Sequence, residues 1–252
     1  MTRQLRAEIT KVFSLRLTWG LVLLAGCYVG VNAILLGFLT GRDQLAGSDI
    51  GLSATEAANA VYGQALSAYI FALVAGIMMI TGEFRHGTAS TTFMIQPRRR
   101  VVVAAKLLAS LLLGFAFAVA GAVVTLATGL PVLALRGYAS LIPASDVAMA
   151  LLGGMLAVTL YGAMGVGIGS LVRNQVAAIV GSLVLFLLVG DLLAGLVPEV
   201  GRWLPNGAAS AMARLGSLQG QLLEPWAGAV VFVAWAVGLA VVGSLTTMRR
   251  DV

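Results

Sequence analysis

The chain contains one cysteine, one histidine and ten acidic residues among its 252. A single cysteine, Cys27, excludes an intrachain disulfide and a cysteine metal cluster, and its apolar surroundings point to a packing role. A lone His86 leaves any histidine metal site without a second imidazole. A Ser-His-Asp triad would have to use the same histidine, yet no Gly-x-Ser-x-Gly elbow occurs and no aspartate lies near it in the chain. No G-x-x-x-x-G-K-[ST] loop occurs either. Gly165, Gly167 and Gly169 make a Gly-x-Gly-x-Gly string, but it lies within an apolar run with no strand before it, so small residues for close helix contact explain it better than a nucleotide cradle. The chain therefore reads as non-catalytic, with no catalytic, cofactor-binding or metal-ligating residue assigned. Any ATP and magnesium would belong to a partner subunit.

Charge is equally scarce. Charged residues make up 10% of the chain and hydrophobic residues 60%, with a mean hydropathy of +0.98, against about 25% charged in an ordinary globular domain. These values indicate an all-α integral membrane protein with no room for a large soluble domain. The net charge of +6 does not indicate nucleic acid, because the basic residues sit at the ends of apolar runs and not on a soluble face. The first run extends from Leu17 to Leu39, too long for a signal-peptide core, so it is expected to remain as a span.

Six spans are expected, at 17–39, 61–81, 101–126, 147–172, 176–197 and 226–246, each near the roughly 20 residues that cross a bilayer. Together they form one transmembrane domain over 1–252. The third apolar stretch continues past Pro131 to Leu135, and its outer end is expected to bend or become a short re-entrant piece. The fourth and fifth spans, separated only by Arg173, Asn174 and Gln175, should form a tight hairpin. With alternating sides, twelve Lys and Arg fall on one face, and only Arg42, Arg136, Arg202 and Arg214 on the other. Both termini are then cytoplasmic, in a multi-pass membrane protein.

Before the first span, Leu5, Ile9, Val12 and Phe13 form an apolar stripe, with Arg3, Arg6 and Lys11 off it. The pattern fits an amphipathic helix over 1–16 lying on the inner leaflet; the alternative is a basic flank that only orients the first span. On the outer side, Trp203, Leu204 and Pro205 precede the small residues Ala208 to Met212, which suggest a short interfacial helix with Trp203 at headgroup depth.

The one sizeable internal cytoplasmic segment runs Glu83-Phe84-Arg85-His86-Gly87-Thr88 and on through Pro97 to Arg98, Arg99 and Arg100. Gly87 can break the second span, Thr88 can cap a new helix and Pro97 can end it, leaving about 8 residues or roughly 12 Å of helix. With Phe93, Met94 and Ile95 beside Thr91 and Thr92, it fits a partner's groove, or else forms an ordinary polar turn. Within the fifth span, Asp191 is the one acid well inside an apolar run. It lies about 22 Å of helical rise beyond Val176, in the outer leaflet. It either lines a substrate path or gate or makes a structural hydrogen bond.

Glu83-Phe84-Arg85-His86-Gly87-Thr88, followed by Gln96-Pro97, a basic cluster and Lys106, resembles the E-[FY]-R-x-G-T segment of ABC-2 type transporter permeases. The junction of the fourth and fifth spans (Gly165 to Gly169, Leu171, Arg173-Asn174, Ala177-Ala178) and the loop Arg202-Trp203-Leu204-Pro205 resemble the same family. The resemblance implies a permease subunit of an ATP-binding cassette exporter, paired with a second permease copy or a homologous permease and with two ATPase subunits. It implies a coupling elbow and helix over 83–97 that docks on the ATPase, using Glu83, Phe84, Arg85, His86, Gly87, Thr88, Thr91, Thr92 and Phe93. Arg98, Arg99 and Arg100 would then anchor to lipid headgroups, and Asp191 departs from the glutamate frequent in the family. A short, poorly hydrated pathway favours hydrophobic or amphiphilic cargo such as lipids, drugs or peptides. Two other classes compete: an ion-gradient-driven transporter or channel, which predicts several midplane charges and related halves, and a non-transporting immunity or scaffold protein.

Overall fold

The computed structural model describes residues 2–39, 54–85, 87, 99–172, 174–214 and 222–249, which are mostly helical and contain no strand. Six helices are long and apolar enough to cross a membrane: Arg16–Phe38, Ala58–Arg85, Val101–Leu135, Ala144–Val172, Gln175–Leu196 and Pro225–Gly243. They correspond one to one with the six expected runs. Their burial is uneven. Within its most apolar stretch the second is 56% buried, but the fifth and sixth only 22%, so the core lies around the second span and the last two turn most of their surface outward.

The fourth span is the hub, packed against the second, third and sixth. Glycines make this possible by removing side chains where backbones meet. A β-carbon at Gly162 would stand 2.8 Å from the Ser110 carbonyl of the third span, and one at Gly167 2.7 Å from the Leu239 carbonyl of the sixth. One at Gly165 would collide with the Leu73 carbonyl of the second. Gly162 and the glycine string beyond it thus make a three-sided contact surface, in line with the close helix contact expected of these small residues.

Pro131 does not end the third span, which stays helical through Leu135; this corrects the expected re-entrant piece. Proline forfeits one backbone hydrogen bond, but Val132 and Leu133 just beyond it are buried, and burial of two such side chains offsets that loss. The helix stops at Gly137 (φ 73°), where the Tyr138 N–H reaches back to the Leu133 carbonyl at 2.8 Å, a left-handed glycine cap.

The fourth-to-fifth hairpin is tight: one helix ends at Val172 and the next starts at Gln175, with the Asn174 side chain capping it by accepting from the Ala177 N–H at 3.1 Å. The fifth span is not uniform. It runs as α-helix over Gln175–Leu183, π-helix over Val184–Val189 and α-helix again over Gly190–Leu196. After the turn of helix Pro198–Gly201, a helix over Pro205–Met212 does form. It is packed into the bundle: Ala208, Ala209 and Met212 are buried against the fourth and sixth spans. Its small side chains let it sink between helices, leaving Trp203 exposed before it.

Candidate functional site

The N-terminal helix spans Thr2–Ser14. Val12 is buried, Leu5, Ile9 and Phe13 are half-buried, and Arg3, Arg6 and Lys11 are exposed, which is the expected amphipathic division. The helix stops before Leu15. There the Thr18 hydroxyl donates to the Val12 carbonyl at 2.7 Å and the Trp19 indole to the Phe13 carbonyl at 2.9 Å, satisfying carbonyls that a helix end leaves open.

Glu8, on the inward face of this helix, is buried. Lys106 of the third span, also buried, donates to Glu8 Oε2 at 3.0 Å and pairs with Glu83 Oε1 at 2.7 Å. Lys11 also pairs with Glu83. Two carboxylates and two ammonium groups therefore form a neutral chain, Glu8–Lys106–Glu83–Lys11, that ties the N-terminal helix to the second and third spans. Charges taken out of water persist only when paired in this way.

Glu83 thus faces inward. Two residues on, Arg85 is exposed at the end of the second span, and no carboxylate pairs with it among the described residues. Gly87 has φ 66° and its N–H bonds the Phe84 carbonyl at 3.4 Å; a left-handed position favours glycine, and the expected break lies here. His86, Thr88, Thr91, Thr92, Phe93 and Arg98 lie outside the described residues. Arg99 and Arg100 open the helix Arg99–Leu135, and their side chains lie outside the description. Beside the ion network, Leu15, Leu21, Met79 and Leu113 help line a hollow of about 520 Å³ that also reaches Lys11, Glu83 and Arg85.

A second polar cluster lies toward the other end of the bundle. The Tyr161 ring is fully buried and packs on Tyr69, Phe232 and Phe186, at centroid distances of 4.5, 4.8 and 5.8 Å. Its hydroxyl donates to Asn206 Oδ1 at 2.9 Å. The Asn206 amide group donates in turn to the Phe186 carbonyl, in the π-helical turn, and to Asp191 Oδ1 at 3.3 Å. A π-turn frees a backbone carbonyl from its usual partner, and Asn206 occupies that position. Asp191 itself is exposed on the fifth span.

The chain matches no family model and no curated protein.

Of the residues singled out from sequence, Glu83, Phe84, Arg85 and Gly87 fall within one short stretch. Asp191 belongs to the separate Tyr161–Asn206 cluster. Cys27 is exposed on the first span, not packed as expected. Sequence reasoning missed Glu8, Asn206 and Tyr161. Glu8 had a legible signal: it sits three residues after Leu5 and four before Val12, so it shares the apolar stripe, and an acid there requires a buried partner. Asn206 had none, because its role depends on a short helix sinking between spans. Among the described residues no group of histidine, cysteine and acidic side chains comes together to hold a metal ion.

Proposed function

We propose that this chain is the permease subunit of an ATP-driven exporter in the bacterial plasma membrane, with both termini in the cytoplasm and a hydrophobic or amphiphilic cargo. ATP is hydrolysed on separate ATPase subunits, and a second permease copy or a homologous permease completes the pathway. One observation carries the reading: the last turn of the second span, from Glu83 to Gly87, is anchored by buried charge to both the third span and the N-terminal helix. A force applied just beyond Gly87 reaches three elements at once, which is what a coupling elbow requires. Exposed Arg85 offers a charge-assisted contact to an ATPase, and Arg98, Arg99 and Arg100 supply headgroup contacts. The absence of a P-loop from the sequence puts ATP on another chain, and the Lys and Arg asymmetry supports the orientation.

Co-purification with a P-loop ATPase encoded beside this chain tests the proposal. Arg85→Glu leaves the buried network intact and is expected to weaken ATPase binding by about tenfold, the size of one charge-assisted contact. Gly87→Pro, whose ring cannot adopt positive φ, is expected to retain ATPase binding less well than wild type and to abolish transport. If wild type binds no such ATPase the exporter reading fails; if both variants bind and transport fully, the elbow is elsewhere.

A further inference from the structure

Between the fifth and sixth spans the bundle leaves a groove of about 320 Å³, within the range of pockets that take small molecules, roughly 300–1,000 Å³. Ile168, Phe186, Leu193, Trp235 and Leu239 line it, with Asn206 as one of its few polar groups. Asp191 follows directly on Gly190, itself in the lining, and its Oδ1 accepts the Asn206 hydrogen bond at 3.3 Å. Among the described residues no Lys or Arg pairs with Asp191. Its exposed neighbours are Leu188 and Leu192. A carboxylate within a membrane-crossing helix is costly unless a counter-charge or water meets it, and one hydrogen bond from a neutral amide supplies no charge. The contrast with the inner cluster is direct: there two carboxylates meet two ammonium groups, and here one carboxylate meets none. The groove therefore pairs apolar and aromatic walls with a single uncompensated negative charge at its edge.

We propose that this groove binds an amphiphilic organic cation, with the positive centre at Asp191 and the apolar body between the fifth and sixth spans. Aromatic lining favours the same ligand class, since indole and phenyl rings attract cations. The inference rests on the exporter reading only in naming the class of cargo; binding itself requires no ATPase.

The test uses the purified full-length chain in lipid nanodiscs, with empty nanodiscs subtracted, and tetraphenylphosphonium as the probe. Saturable binding is expected for this cation and not for tetraphenylborate, an anion of nearly the same shape. Asp191→Asn is expected to weaken phosphonium binding by about tenfold or more, as loss of one ion pair would, while Asp191→Glu restores most of it. Gly181→Phe gives a second arm: a β-carbon at Gly181 meets no atom within 4 Å and the residue lines the groove, so a phenyl group added at this wall is expected to weaken binding by about tenfold or more. Phosphonium binding unchanged in Asp191→Asn and in Gly181→Phe, or anion binding as strong as cation binding, overturns the proposal. Cation binding in a chain that finds no ATPase keeps the site and removes the exporter; an ATPase-bound chain with no saturable cation binding does the reverse.

Discussion

Lys106 pairs with two carboxylates, and each loses something different when it goes. Glu83 keeps Lys11, whereas Glu8 is left buried and alone among the described ion pairs. Lys106→Met is accordingly expected to lower unfolding free energy by about 3–5 kcal/mol, the usual cost of stranding one member of a buried pair. Glu8→Gln combined with Lys106→Met should recover most of that loss, because Glu83 and Lys11 stay balanced. Thermal unfolding in detergent separates the cases, and a double variant as unstable as the single one refutes the pairing. At the other cluster, Asn206→Ala strands the Tyr161 hydroxyl and should cost about 1–3 kcal/mol. Adding Tyr161→Phe to it should cost little more, since the hydroxyl then has no partner left to lose; a full additive loss would mean that the Tyr161–Asn206 bond contributes nothing.

At the scale of elements, helix contacts depend on where side chains are missing. Gly165 lies against the Leu73 carbonyl of the second span, while a β-carbon at Gly20 would meet nothing within 4 Å. Gly165→Leu is expected to destabilise the bundle by about 1–3 kcal/mol or more through overpacking, and Gly20→Leu to be nearly silent, by melting midpoint and by yield of monodisperse protein. Equal effects would show that the glycines are not contact positions. Element number and type were legible because apolar run length is a strong signal, and the amphipathic division of the N-terminal helix was legible from periodicity. What sequence did not reveal is tertiary. Burial carries the third span past Pro131, the π-helical turn at Val184–Val189 has no period of its own, and the packing of Pro205–Met212 between helices depends on a gap that only the folded bundle supplies. For the candidate site, Gly87 and Arg85 announced themselves by residue type. Glu83 was visible, but its partners were not, because Lys11 lies 72 residues before it and Lys106 sits on another span.

For the whole molecule, orientation is the proposal with the simplest check. The only cysteine is Cys27, so a Cys27→Ala background carries single reporters cleanly. A membrane-impermeant maleimide applied to intact cells should label Glu224→Cys and leave Asn174→Cys unlabelled until the membrane is opened; both positions are exposed and outside the candidate spans. The opposite pattern would invert the topology and remove the cytoplasmic elbow. The same ion network also sets an order of events during synthesis. Glu8 leaves the ribosome 98 residues before its partner Lys106, about 5–20 s at ordinary elongation rates. Throughout that interval Glu8 lacks the ammonium group that pairs with it, and burying an unpaired carboxylate is costly. The closed network requires the third span, so docking of this early-made segment is expected to report whether the spans behind it have arrived.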